Sequence, residues 1–153
     1  MTMPMAPIIE GRAALLIIDV QNGIVGPAQA TSKPEFHATA SASVIPNIRR
    51  LLNAVRAARL EVIYTVIDNL TQDGRDRSPD YKLSGCNIAK CFWEARVIDV
   101  IVRQGDEIVL PKTDQCIDHA VKDGADRDHY MFFAFLGLLE TRFLVCFHRW
   151  NLC

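Results

Sequence analysis

The apolar run from Ala13 to Val20 is the feature that most constrains the fold of this chain. It is nearly continuous and rich in branched side chains, which is typical of a parallel strand covered on both faces. Asp19 interrupts the run near its carboxyl end, and the loop-forming residues Gln21-Asn22-Gly23 follow. Ligands of parallel sheets bind beyond the carboxyl ends of the strands, so Asp19 is well placed for chemistry. The alternative is that its carboxylate only caps the following turn.

A helix and a second strand complete a βαβ unit. Five apolar residues recur at helical spacing: Val44, Ile48, Leu51, Leu52 and Val55. Ser41 or Ser43 can cap this helix, and Pro46 suits its first turn. The run Glu61–Ile67 then predicts a strand. Strands joined in this way lie parallel, so the sequence predicts an α/β fold.

The composition indicates one globular domain without a polyanionic or membrane partner. The chain has 153 residues, of which 50% are hydrophobic and 23% charged, with a net charge of −1. We therefore expect no nucleic-acid partner. The first ten residues lack the basic and apolar regions of a signal peptide, and charged residues interrupt the later apolar runs. Five cysteines, an odd number, fit reduced thiols in a cytoplasmic protein.

A lysine and a cysteine stand four positions apart after the third apolar run, Glu107–Leu110. Pro111 ends that run, Lys112 follows, and Thr113 or Asp114 would cap a new helix. Cys116 would then lie in the first helical turn, where the helix dipole lowers the pKa of a thiol. The pattern is typical of a nucleophilic cysteine, and it equally suits a small buried core residue.

The other polar segments suggest weaker candidates. In the loop Asp68–Asp80, Arg75 and Arg77 could clamp a substrate carboxylate, or they could belong to an ordinary solvated loop. A short helix is expected between Ala95 and Val102. Cys116 and His119 share a helical spacing that could serve a metal ion, but no second ligand pair stands at a matching spacing, so we expect no metal.

Three motifs in order make the chain resemble the isochorismatase-like cysteine hydrolases. Leu15–Asn22 resembles the family's first strand with its catalytic aspartate. Val109–Thr113 resembles the strand end with the catalytic lysine, and Thr113–Ala120 resembles the helix start with the nucleophilic cysteine. The segments 44–65 and 73–76 are similar to the family too, closest to its ureidoacrylate or N-carbamoyl amidohydrolase branch. The resemblance implies a Rossmann-like, three-layer αβα fold with a mostly parallel sheet.

The resemblance also implies a mechanism and a set of partners. Asp19 would accept the thiol proton, Lys112 would hold and polarise the pair, and Cys116 would attack a C–N carbonyl to form a thioester. Gln21, Arg75 and Arg77 are the expected substrate-binding residues. No cofactor is required. We expect a small-molecule amide or ureido substrate and a homo-oligomer.

The chain departs from the family in two places. In the family a helix and a further strand, roughly 30 residues, separate the lysine from the cysteine. We therefore expect a truncated hydrolase domain over residues 1–130 that lacks a central strand beside the Asp19 strand. We expect residues 131–153 to form an atypical apolar tail. Our hypothesis is a variant that lost an internal segment and acquired a different C-terminus. The alternative function is an inactive relative that acts as a binding or hetero-oligomer subunit.

Overall fold

A computed structural model describes residues 13–113 and the strand backbones at 130–134 and 147–148. The five strands are β1 (Ala13–Ile18), β2 (Glu61–Ile67), β3 (Ile108–Lys112), β4 (Tyr130–Ala134) and β5 (Phe147–His148). The five helices are α1 (Asn22–Val25), α2 (Gln29–Ser32), α3 (Pro34–Thr39), α4 (Ile45–Ala57) and α5 (Pro79–Ser84). No helix in these ranges has the length and apolar character that crossing a membrane requires.

The strands form one sheet in the order β3-β2-β1-β4-β5. The first three pairings are parallel, with Leu16 beside Ile63 and Ile67 beside Lys112, and only β5 runs antiparallel to its neighbour. The α/β class with a mostly parallel sheet is therefore confirmed. Among the described strands, β3 lies at the edge, where Pro111, which has no N–H, is tolerated.

The place beside β1 where a central strand was expected to be missing is filled by β4. Ala13 pairs with Tyr130 and Ile17 pairs with Ala134, both in parallel register. Most of β4 comes from the segment assigned to the apolar tail, so residues 131–134 pair within the sheet. The sequence Tyr-Met-Phe-Phe-Ala suits this position because aromatic residues favour strands and central parallel strands are apolar throughout.

Helix α4 packs its apolar stripe against one face of the sheet. Ile48 and Leu52 are buried and contact a cluster that includes Leu15, Ile17 and Tyr64. Burying each such side chain stabilises the fold by about 1.5–3 kcal/mol. The predicted stripe is confirmed, and Pro46 lies in the first turn. No serine cap forms, because α3 continues into α4 through a π-helical turn at Ala40–Val44 and the backbone is already helical there.

The second face of the sheet carries its own apolar cluster. Ala14, Leu16 and Ile18 alternate with the residues that face α4, and they pack with Ile63, Ile108 and Leu110. All six residues of β1 are buried. The continuous apolar run at the start of the chain is thus explained by a strand with a core on each side.

Gln21 joins the end of β1 to β2 and to the segment before β3. Its side-chain amide accepts from the Ile67 N–H at 2.7 Å and donates to the Ile67 and Glu94 carbonyls at 2.9 and 3.0 Å. Its backbone forms an antiparallel bridge with Val97. This bridge keeps the chain extended there, so the helix expected at Ala95–Val102 is replaced by two 3-10 turns, Trp93–Ala95 and Asp99–Ile101.

An ion pair joins the end of α4 to the start of β3. The Arg56 guanidinium donates two hydrogen bonds to the Glu107 carboxylate, at 2.7 and 2.8 Å, and a third to the Val102 carbonyl. The buried Tyr64 hydroxyl donates to the Ile101 carbonyl. Burial alone would raise the pKa of Glu107, but the hydrogen bonds from Arg56 and the Gln104 N–H outweigh it and hold the pKa below its ordinary range.

We predict that Glu107→Gln destabilises the protein by about 1–3 kcal/mol at pH 7, because Arg56 loses a charged acceptor. A carboxylate whose pKa is lowered by folding stabilises above its unfolded-state pKa and loses that contribution as the pH falls through the folded-state pKa. The difference between the variant and the parent should therefore shrink below about pH 4. Urea unfolding at several pH values measures it. The control is Asp106→Asn, which removes an exposed neighbouring charge; an equal effect in both variants would contradict the prediction.

We also predict that Gln21→Ala lowers the free energy of unfolding by about 3 kcal/mol or more. The substitution leaves the buried Ile67 N–H and carbonyl and the partly buried Glu94 carbonyl without these hydrogen bonds, and each buried unsatisfied group costs about 1–3 kcal/mol. Urea unfolding tests this against Gln104→Ala, which truncates an exposed glutamine. Equal stabilities of the two variants would show that the Gln21 side chain does not brace the sheet.

Candidate active site

A buried ion pair lies at the carboxyl edge of the sheet. The Lys112 ammonium donates to the Asp19 carboxylate with an Nζ–Oδ2 distance of 2.9 Å. The two side chains are 5% and 15% exposed. Asp19 directly follows β1, and Lys112 is the last residue of β3. The structure thus brings together two of the three predicted catalytic residues, which are 93 positions apart in the chain.

The Asp19–Lys112 ion pair reaches across β2, the strand that lies between β1 and β3. Because β2 separates β1 from β3, the two backbones are roughly 10 Å apart, and the long lysine side chain has to cross the end of β2. Lys112 shares the face of Ile108 and Leu110 by strand alternation, whereas a regular strand would direct Asp19 to the opposite face, with Ile17. An unusual backbone conformation at Asp19 resolves this conflict.

Asp19 has a φ of 56°, in the left-handed region. A non-glycine residue there costs about 1–2 kcal/mol, and such outliers cluster at functional sites. The conformation ends the alternation of β1 while the Asp19 N–H still donates to the Thr65 carbonyl at 3.0 Å. The carboxylate also accepts from the Thr65 hydroxyl at 3.4 Å, a long contact. The left-handed turn is therefore what presents the carboxylate to Lys112.

Tyr81 is the contact residue that the sequence did not reveal. Its hydroxyl lies 3.2 Å from the Lys112 Nζ, and its ring centroid lies 5.9 Å from the same atom. It belongs to α5, a six-residue helix whose N-cap is Ser78. The Ser78-Pro79 pair is a recognisable helix start, but nothing in the sequence pattern indicates that this helix folds back onto the end of β3.

The loop before α5 is organised around Asp76. Its carboxylate accepts from the Leu70 and Thr71 N–H groups at 2.7 and 3.0 Å, and from the Thr71 hydroxyl. The hydrogen bond from the Thr71 hydroxyl, followed by those from the backbone, lowers the pKa of Asp76 to about 2. Gly74 adopts a φ of +64°, and a Cβ there would lie 2.8 Å from the Asn69 amide nitrogen. The loop therefore has a defined shape beside the site.

The two arginines of this loop have different surroundings. Arg77 donates to the Gly74 and Cys86 carbonyls at about 3.1 Å, so it fastens the loop to the segment after α5. The Arg75 side chain is 75% exposed and pairs with Asp73 at 3.3 Å. In the described part of the chain, no contact joins either guanidinium to Asp19 or Lys112. Of the two, only Arg75 presents its guanidinium to solvent.

Gln21 occupies a structural position. It is fully buried, and its two amide hydrogens are taken by the Ile67 and Glu94 carbonyls. Its neighbour Asn22 similarly donates to the Trp93 carbonyl at 3.1 Å. The contacts of Gln21 connect it to the frame of the site, and the expected contact with substrate stays a prediction.

Cys116, the predicted nucleophile, and the helix expected after an N-cap at Thr113 or Asp114 lie outside the described residues. Two other cysteines fall within residues 13–113, Cys86 and the exposed Cys91, and neither is in a disulfide, as predicted for plain thiols. Over the same range, no three His, Cys, Asp or Glu side chains approach closely enough to hold a metal ion. The expectation of a metal-free site stays a prediction.

The geometry suits proton transfer next to a charged partner. A carboxylate at a sheet edge can accept a proton, and a buried ammonium 2.9 Å away stabilises its negative charge before transfer. Thr113 directly follows the lysine and is the last described residue of this part of the chain.

Comparison with known sequences identifies the family. The family model described as Isochorismatase domain matches residues 13–116. The ureidoacrylate amidohydrolase RutB of Serratia proteamaculans (strain 568) is 30% identical over 115 residues, which is 65% of this chain and 46% of RutB. The chain thus spans about half the length of this relative.

Several solved structures have the same fold as this chain. N-carbamoylsarcosine amidase from Thermoplasma acidophilum is similar with a TM-score of 0.58 at 20% identity, over 80% of this chain and 66% of the amidase. A cysteine hydrolase from Pseudomonas syringae pv. phaseolicola 1448A has a TM-score of 0.61 at 20% identity, over 87% of this chain and 76% of that hydrolase. On the sequence match to the family model, with the fold in agreement, this chain belongs to the isochorismatase family of hydrolases.

Proposed function

We propose that the chain hydrolyses a C–N bond of a small amide or N-carbamoyl compound through a thioester on Cys116. The observation that carries the proposal is the buried Asp19–Lys112 ion pair at the carboxyl edge of the sheet. The similarity to RutB, named as an amidohydrolase, and the fold shared with an N-carbamoylsarcosine amidase support the substrate class.

The proposed reaction proceeds in two halves. Asp19 takes the proton of the Cys116 thiol, and the thiolate attacks the carbonyl carbon, so that a C–S bond forms and the carbonyl oxygen gains the electron pair. The C–N bond then breaks, and protonated Asp19 returns its proton to the leaving amine. Water attacks the thioester with Asp19 again as base, which releases the acid and restores the thiol. Lys112 stabilises the Asp19 carboxylate when it is ionised.

The proposed substrate contacts follow from exposure. Arg75 can pair with a substrate carboxylate because its guanidinium is exposed and the competing ion pair with Asp73 is a surface pair, which contributes about 0–1 kcal/mol. Arg77 and Gln21 would support substrate binding indirectly. Arg77 would hold the loop in place, and Gln21 would hold the strand ends in place. The chain would assemble as a homo-oligomer, as expected from the resemblance.

The second candidate function is that of a catalytically inactive family relative, which would bind a partner subunit or a ligand. The specific observation in its favour is the spacing of four residues between Lys112 and Cys116, because a shift of 1 Å in a catalytic group can lower the rate about a hundredfold. Thiol reactivity separates the two functions, since an inactive relative does not need an activated cysteine.

We predict that Cys116 reacts with limiting iodoacetamide about tenfold faster than the exposed Cys91 near neutral pH, because an adjacent base increases its thiolate fraction. Peptide mass spectrometry reports both rates in one sample. Asp19→Asn should remove the difference and Lys112→Met should reduce it, whereas the surface variant Asp106→Asn should leave it unchanged. Equal labelling of Cys116 and Cys91 in the parent protein would contradict an assembled site.

We further predict that Cys116→Ser lowers the rate of ammonia release from N-carbamoyl and ureido compounds by about a thousandfold or more. Cys91→Ser is the matched control, because it replaces an exposed thiol, and it should retain the parent rate. Release of ammonia at equal rates by both variants would show that hydrolysis does not pass through Cys116. Equal labelling of Cys116 and Cys91, together with no turnover of any compound, would favour the binding subunit.

A further inference from the structure

Tyr81 contacts the ion pair, but the proposed reaction gives it no role. Its hydroxyl oxygen lies 3.2 Å from the Lys112 Nζ, on the same atom that donates to Asp19 at 2.9 Å. The lysine side chain is only 5% exposed. An ammonium removed from water has to find acceptors in the protein, so an oxygen at this distance has a direct effect on how the charge is held.

The contact has two parts that can be separated. The phenol oxygen accepts a hydrogen bond from the ammonium, and the ring lies within the range of a cation–π interaction, with its centroid 5.9 Å from Nζ. The oxygen is directional, whereas the ring attraction is broad. The oxygen therefore determines the direction of the ammonium group, and the ring contributes mainly attraction and packing against Ile67 and Ile88.

Hydrogen bonds that lead back to the end of β3, the strand that carries Lys112, fix the position of Tyr81. The Ser78 hydroxyl accepts from the Tyr81 N–H at 3.2 Å, and the Ser78 N–H donates to the Thr113 carbonyl at 2.9 Å. Ser78 thus connects the backbone of Tyr81 to the residue next to Lys112. At the other end of α5, the Lys82 ammonium donates to the Arg75 carbonyl at 3.0 Å. These contacts hold the phenol over the lysine.

We propose that Tyr81 is a positioning residue, whose phenol oxygen directs the Lys112 ammonium at the Asp19 carboxylate. Without this oxygen the lysine retains its attraction to Asp19, but the ammonium loses one acceptor and exchanges its protons with water more readily. The structural part of the proposal concerns the ammonium alone. Its kinetic consequence rests on the proposed hydrolase function.

The test observes the Lys112 ammonium directly by ¹H–¹⁵N NMR, with the signal assigned by its loss in Lys112→Arg. We expect slow proton exchange with water in the parent protein and roughly tenfold faster exchange in Tyr81→Phe, which removes only the oxygen. Ser78→Ala, which keeps the phenol but loosens α5, should give a smaller increase. The exposed Lys33 ammonium, which lies outside α5 and its contacts, is an internal control whose exchange should not change.

A matched substitution separates positioning from packing. Tyr64→Phe removes a phenol oxygen from the network of Arg56 and Glu107 on the other face of the sheet, and it should leave Lys112 exchange unaltered. Unchanged exchange in Tyr81→Phe would overturn the proposal, and so would fast exchange of Lys112 in the parent protein. A change of equal size in Tyr64→Phe would also overturn it, because the effect would then reflect general loosening.

The kinetic readout distinguishes the two proposals. If the chain hydrolyses an N-carbamoyl compound, Tyr81→Phe should lower kcat about tenfold with little change in KM, because the oxygen acts on the catalytic pair and not on substrate. Absence of hydrolysis in the parent protein contradicts the proposed function, while the exchange result still decides the role of Tyr81.

Discussion

The buried ion pair between Asp19 and Lys112 is the interaction on which the rest of the site depends. Two opposite charges removed from water stabilise the fold only if their geometry is maintained, because loss of either partner leaves an uncompensated charge. The sheet maintains this geometry by presenting two strand ends with β2 between them. The left-handed residue at Asp19 then directs the carboxylate to the lysine face. The strained backbone of Asp19 thus makes possible a contact between the ends of β1 and β3, which are not neighbouring strands.

The frame around this pair consists largely of hydrogen bonds to main-chain atoms. Gln21 joins the end of β1 to β2, Asp76 shapes the loop after β2, and Ser78 fastens α5 to the residue after Lys112. Bonds of this kind fix backbone positions and are directional, whereas the apolar clusters on both faces of the sheet supply most of the stabilisation. This division of roles between hydrogen bonds and apolar packing explains why polar side chains near the site bond to main-chain atoms more often than to one another.

The sequence predicted the parts of this protein that depend on local pattern. Hydrophobic periodicity and composition were sufficient to predict β1, α4 and β2, and the sequence motifs were sufficient to select Asp19 and Lys112. The contacts of Tyr81 and Gln21 were not predictable, because they depend on which segments meet after folding. Arg77 illustrates the same limit: an arginine in a polar loop is typical of a ligand clamp, yet its partners are one carbonyl of its own loop and one of the segment after α5. Strand β4 also escaped prediction, because an apolar run of aromatic residues suits a tail as well as a strand.

The edge position of β3 has a consequence for the way this chain can tolerate insertions and deletions. Among the described strands β3 pairs only with β2, so its register depends on that one ladder and on the anchor between Arg56 and Glu107 at its start. Inserting or deleting one residue between Glu107 and Lys112 would rotate the ammonium to the opposite face of the sheet, away from Asp19. A change of length in the turn before Glu107 would leave the register of the ladder unchanged. Length variation among natural homologues should therefore occur before Glu107, while the five positions of β3 keep a fixed length.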